Sequence, residues 1–314
     1  MTTRVLAALL LICATAIIPM TARGAETKPA PPAAMADLAF GAYQRGDYAT
    51  AMTEARKRIV ANPKDAAALT LIGELYAEGA GVPKDRNQAQ DWFRRGADAG
   101  GKEAAYLYGA AALMGIDVPQ SRNAAQVYLE KAAAMGHPAA LHLLGEMALE
   151  NNGVVPDFDK AIGYFRRAAA ADDADAKYSL GVLYKHGKGV AKNEAEAADW
   201  FTRAADAGHV AAMVEIAIMR FNGAGVARDQ AGAVKLFRQA ARRGNAVAQN
   251  RLAHLLAEGL GVEKNLVEAA RWHEQARASG LMDPSLDFLL KAEAPAAKPT
   301  EPKASPPAEP PKAR

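Results

Sequence analysis

Apolar and small residues recur along most of the chain at helical spacing, and polar stretches break the pattern at regular intervals. In "AKYSLGVLYKH", from Ala176, they return every three to four positions, which predicts an amphipathic helix rather than a strand. The period is larger than one helix. A valine recurs at Val82, Val118, Val154, Val190, Val226 and Val262, a constant step of 36 residues. Glycines precede it as full pairs at Gly79/Gly81, Gly187/Gly189, Gly223/Gly225 and Gly259/Gly261, with only Gly115 in the second copy and Gly153 in the third. Three residues after each valine stands Asp85, Ser121, Asp157, Asn193, Asp229 or Asn265, a residue type that caps a helix N-terminus. Gln88, Glu196 and Glu268 follow three further on and predict reciprocal capping boxes.

Each repeat therefore reads as helix A, a glycine loop, helix B and a short turn. Helix A carries a small residue at Gly73, Gly109, Gly145, Gly181, Ala217 and Ala253, which lets its partner approach closely. Helix B carries an alanine and, three later, Trp92, Tyr128, Tyr164, Trp200, Leu236 or Trp272, read as the interhelical core series. It ends in Gly100, Gly136, Gly208, Gly244 or Gly280, with Asp172 standing in once. Helices of about 12 to 13 residues, each about 19 Å long, are expected. A phosphate loop at "GKGVAKNEAEAADW" is the competing reading of Gly187 and Gly189. It lacks the third glycine and the preceding strand, so Lys188 reads as a solvated charge in a structural loop.

The pattern small-xx-Tyr-xx-GxGVxxD-xxx-A-xx-W, with a terminal AAxxG, resembles the Sel1-like repeat family. The fourth copy carries it best, through Ala176, Leu180, Gly181, Tyr184, Gly187, Gly189, Val190, Ala197, Trp200, Ala204, Ala205 and Gly208. The resemblance implies an all-α, right-handed solenoid of stacked antiparallel helix pairs, with six repeats over residues 65–280. Residues 35–64, with the turn Gly46-Asp47-Tyr48, Ala51 and Pro63, resemble a tetratricopeptide repeat and are expected to cap the N-terminal end. Residues 281–293 are expected to form a C-terminal capping helix through Leu286, Leu289 and Leu290.

The ends differ in composition. Arg4, the apolar run "VLAALLLICATAII" and the small-x-small site Ala22-Arg23-Gly24 read as a signal peptide over residues 1–24, cleaved near Gly24/Ala25. A periplasmic or secreted monomer without membrane insertion is the expectation. Residues 25–34 read as a Pro/Ala-rich linker and residues 294–314 as a disordered Pro/Ala/Lys/Glu tail. Cys13 is the sole cysteine and falls inside the signal, so the mature chain is expected to hold no disulfide, thiolate metal site or cysteine nucleophile. Removing Arg4 and Arg23 from the 38 basic residues leaves 36 against 35 acidic, which gives no basic face for nucleic acid.

The six histidines form no metal motif, the serines no GxSxG, and the adjacent carboxylates sit at turns and helix starts. The expectation is a non-enzymatic protein-interaction scaffold of the bacterial envelope with no cofactor and no metal. Its protein partner would belong, by resemblance to bacterial members, to an envelope signalling system. A cell-wall or carbohydrate-binding protein or hydrolase is the alternative. If helices A line the concave groove, the partner-binding residues projected onto it are Glu74, Tyr106, His142, Glu146, Tyr178, Lys185, Phe221, Asn250 and His254, with Glu103 and Asp175 beside them. The tyrosines and Phe221 could instead pack sideways against a neighbouring helix, and spacing leaves both readings open.

Overall fold

The computed structural model describes residues 37–150 and 155–292. The expected signal peptide, linker and tail, together with Cys13, Gly153 and Val154, lie outside them. The described residues form fifteen helices and no strand. They fall into two compact units, one running to Leu183 with Lys188–Ala191, the other comprising Tyr184–Gly187 and Lys192 onward.

The first unit starts with α1 (Leu38–Gln44) and α2 (Tyr48–Ala61), capped by Asp37 and Asp47. Then A and B helices alternate: α3 (Ala66–Glu78), α4 (Arg86–Asp98), α5 (Lys102–Met114), α6 (Arg122–Ala134), α7 (Pro138–Glu150), α8 (Phe158–Ala170) and α9 (Ala174–His186), which enters the second unit at Tyr184. From α1 to α8 each helix packs on the next, and successive A helices α3, α5 and α7 also touch one another. The second unit holds α10 (Glu194–Asp206), α11 (Val210–Asn222), α12 (Gln230–Arg242), α13 (Ala246–Glu258) and α14 (Leu266–Ala278), with α15 (Pro284–Ala292) laid on α13 and α14. Each unit is an α-solenoid of stacked helix pairs.

The repeat is closed by backbone chemistry. All six expected N-cap side chains accept from an amide of the first turn, at 2.8 to 3.2 Å. Their own amides donate to a carbonyl nine residues earlier on helix A, namely Tyr76, Ala112, Ala148, Tyr184, Arg220 and Leu256. That second bond is why the predicted capping boxes do not form. The N-cap amide that Gln88, Glu196 or Glu268 would satisfy is already used, and Gln88 Nε2 donates to the Asp85 carboxylate instead. A second missed regularity lies in the turn between repeats, where Asp65, His137, Asp173, His209 and Asn245 each accept from the first turn of the following A helix.

The first loop glycine takes the left-handed conformation that ends helix A, with φ of 74° at Gly79 and 75° at Gly259. The second has another reason to be glycine. A Cβ on Gly81 would stand 2.8 Å from the Cβ of Tyr48, and one on Gly261 2.8 Å from Gln230, the first residues of the preceding B-type helices. Asp117 takes this place in the second repeat at φ 59°, and Asp172 replaces a helix-terminal glycine at φ 67°.

The core corrects the predicted aromatic series. Trp92, Tyr128, Tyr164, Trp200, Leu236 and Trp272 are only half-buried. The fully packed residue is the next one, Phe93, Leu129, Phe165, Phe201, Phe237 or His273. At 3.6 residues per turn a step of four returns closer to the alanine's direction than a step of three, so the residue after the tryptophan points at helix A. Within the first unit, Phe93, Leu129 and Phe165 press on Gly73, Gly109 and Gly145. The tryptophans flank the seam, and a cation lies over the ring of Trp92 and of Trp200: Arg95 is 4.0 Å from the Trp92 centroid and Arg203 4.9 Å from that of Trp200.

Candidate partner-binding face

Helix A buries its small residue and leucines against helix B and leaves another strip of side chains partly open. In the first unit this strip runs over α3, α5, α7 and the start of α9. Glu74 is half-buried with Glu78 and Glu103 as its charged neighbours; loss of water and those two like charges push its carboxyl up to about 7. Tyr106 lies flat on His137, with ring centroids 4.2 Å apart and an interplanar angle of 17°. His137 Nε2 is 3.1 Å from Glu103, and its Nδ1 caps α7. The tyrosine therefore packs sideways as well as lining the strip.

Farther along, His142 and Glu146 face one another at 3.7 Å, one helical turn apart. Ser179 of α9 donates to Glu146 at 3.4 Å and sits 3.5 Å from His142 Nε2. Burial raises the Glu146 carboxyl above its ordinary value, against the pull of His142 and the Ser179 hydroxyl. Tyr178, half-buried, precedes this serine. His142, Asp173 and Asp175 each bring one ligating atom within 4.8 Å of the others, the one donor set among the described residues that could hold a metal ion. Asp173 and Ser179 enter this cluster unforeseen; only the turn-capping period could have marked Asp173.

Lys185, Phe221, Asn250 and His254 belong to the second unit. Lys185 donates to Glu215 at 2.6 Å, and Phe221 is half-buried near the end of α11. Asn250 Nδ2 donates to Asp283, and His254 Nε2 meets the same carboxylate, both at 2.8 Å. The Ser285 hydroxyl, Asn250 and His254 together hold Asp283 well below the usual carboxylate range. Asn250 and His254 thus dock the start of α15, a role invisible to a projection that ended at helix A.

Chemically, the strip on the first unit can hold a cationic group among carboxylates and lay an aliphatic or planar segment on Tyr106 and Tyr178. The half-buried tryptophans of helix B suit sugar stacking less well, because Arg95 and Arg203 lie over Trp92 and Trp200.

Comparison with known proteins agrees with this architecture. The protective antigen c5321 of uropathogenic Escherichia coli, described as displaying an SLR fold, is 30% identical, with a TM-score of 0.71. The match covers 79% of this chain but 53% of that one, so the present chain spans about half of that protein's length. A Sel1 repeat protein from Oxalobacter formigenes is 29% identical over 77% of this chain and 97% of its own, with a TM-score of 0.68. No curated protein sequence matches the chain. The Sel1 repeat profile matches six times without a gap, at residues 66–101, 102–137, 138–173, 174–209, 210–245 and 246–281, and the chain belongs to the Sel1 repeat family.

Proposed function

We propose that this chain is a non-catalytic scaffold of the bacterial envelope, exported and cleaved near Gly24/Ala25, which holds a protein partner of an envelope signalling system on its helix-A face. Sel1-repeat proteins are generally protein-interaction scaffolds. The observation that carries the reading is the strip on the first unit, where several A helices contribute half-buried polar and aromatic side chains to one surface. A surface assembled from several rigid repeats engages a segment with little reordering of its own. No described helix is long and apolar enough to cross a membrane.

The test is capture from envelope extract, identification of partners by mass, and measurement of their affinity for the purified chain. Tyr106→Ala with Tyr178→Ala is expected to weaken partner binding at least about tenfold, since truncating interface aromatics commonly costs about 2 kcal/mol or more. Circular dichroism must show that the variant is folded. A folded double variant that binds its partner as tightly as wild type would overturn the assignment of the face.

A further inference from the structure

The charges of the first unit are sorted by helix type. Helices α3, α5 and α7 carry Glu74, Glu78, Glu103, Glu146 and Glu150 against one base, Lys102. Helices α2, α4, α6 and α8 carry eleven lysines and arginines against five carboxylates. On α9, the buried Lys177 turns its ammonium to Asp172 in the inter-repeat turn. The near-neutral composition of the chain hides this segregation. In the second unit it is absent: α11 and α13 each carry one acidic and one basic residue.

From this sorting, together with the aromatic rings on the same strip, we propose that the segment held by the helix-A face of the first unit is a basic, extended stretch of polypeptide, rich in lysine or arginine. The inference rests on the reading of that face as a binding surface and adds the chemistry of the occupant. Glu74 is half-buried and has the exposed carboxylates of Glu78 and Glu103 as like-charged neighbours, a cluster that an incoming ammonium or guanidinium would neutralise. Tyr106 and Tyr178 offer planar surface to the aliphatic stem or guanidinium of the same residues. Four A helices at roughly 8 to 10 Å per step span roughly 30 Å, about nine residues of extended chain at about 3.3 to 3.6 Å each. A nucleic acid or an anionic lipid surface would be repelled by this strip.

The experiment uses the full chain and labelled twelve-residue peptides of one length, lysine/arginine-rich, neutral and glutamate-rich, with affinities read by fluorescence anisotropy at low and physiological salt. The basic peptide is expected to bind at least tenfold more tightly than the other two and to weaken with salt. Its amide-shift footprint should fall on α3, α5 and α7. Glu74→Gln with Glu103→Gln should weaken it about tenfold, whereas Glu54→Gln with Glu130→Gln, on the B-type helices, should leave it unchanged. Equal affinity for the basic and neutral peptides, or unaltered binding to the Glu74/Glu103 variant, would overturn the proposal. If the natural partner is still lost on Tyr106→Ala with Tyr178→Ala, the scaffold reading then stands without it. Titration with Zn²⁺ alone separates a third outcome: binding abolished by His142→Ala, with no peptide affinity, would make the cluster a cation site and equally overturn the proposal.

Discussion

Replacing Gly73 by alanine sets two effects of known size against each other. In the interior of a helix the change is favourable by about 1 kcal/mol, because glycine loses more backbone freedom on folding. Here the new methyl would stand 2.6 Å from both Cδ1 and Cε1 of Phe93, whose side chain is 4% exposed. Carbon atoms rest about 3.5 to 4.0 Å apart, so the ring or the whole of α4 must retreat by about 1 Å. Overpacking of this kind costs about 1 to 3 kcal/mol. The net expectation is a loss of about 1 kcal/mol, up to about 2. Gly163, on the exposed side of α8 in the same unit, has nothing within 4 Å of an added Cβ. Gly163→Ala should therefore stabilise by about 0.5 to 1 kcal/mol. Urea denaturation of both variants reads the difference as opposite shifts of the midpoint. A background of Phe93→Leu, the residue type found at Leu129, should reduce the penalty at Gly73, with a coupling of at least about 0.5 kcal/mol. Stabilisation by Gly73→Ala comparable to that by Gly163→Ala would refute the account of why helix A carries glycine.

Phe201→Ala should cost about 3 to 5 kcal/mol and clearly more than Trp200→Ala, because Phe201 is 0% exposed and Trp200 half-buried; denaturant midpoints in that order reversed would return the tryptophans to the core. Glu74 has a raised folded-state pKa, so its penalty is absent below the unfolded value of about 4.3 and grows as pH rises through that value to about 7. Glu74→Gln should accordingly stabilise at pH 8, on the order of 1 kcal/mol after screening, and have little effect at pH 4; thermal melts at the two pH values check the sign. Asp283 has a depressed folded-state pKa, so its stabilisation is complete above about pH 4 and is lost as pH falls further. Acidification into that range, or Asp283→Asn at neutral pH, should release α15, seen as a change in the Leu286 methyl resonance.

The repeat period, the N-caps, the left-handed helix ends and even the substitution of Asp172 were legible in the sequence, because each is a local demand of backbone geometry on one residue. The seam was misassigned by one position. Tryptophan is the more conspicuous residue, but Phe93, Leu129 and Phe165 point at Gly73, Gly109 and Gly145, because a step of four from the alanine turns about 40° past its direction and a step of three stops about 60° short. The capping boxes failed for another reason: the N-cap amide has a non-local acceptor such as Tyr76, which no local motif encodes. On the candidate face, Tyr106 and Glu146 project from helix A as the spacing implies. Their partners lie farther along the chain, His137 in the turn that closes the same repeat and Ser179 in the next repeat, and Asn250 and His254 meet Asp283 from beyond the last one. Which neighbour a side chain meets is set by the stacking of repeats, and the period alone does not contain it.

The second loop glycine, pressed on the start of the preceding helix B, makes the length of this protein quantised. Gly81 and Gly261 fit only if the loop returns to the same place on the previous module, so an insertion or deletion of a residue or two inside a repeat would misplace a methylene-tight contact and the N-cap bond together. Removal of 36 residues in phase, by contrast, rejoins every contact with its equivalent. Such a lineage can lengthen or shorten by whole modules at any internal junction, and gene segments of that size are the increments in which its binding surface can be enlarged, trimmed or recombined.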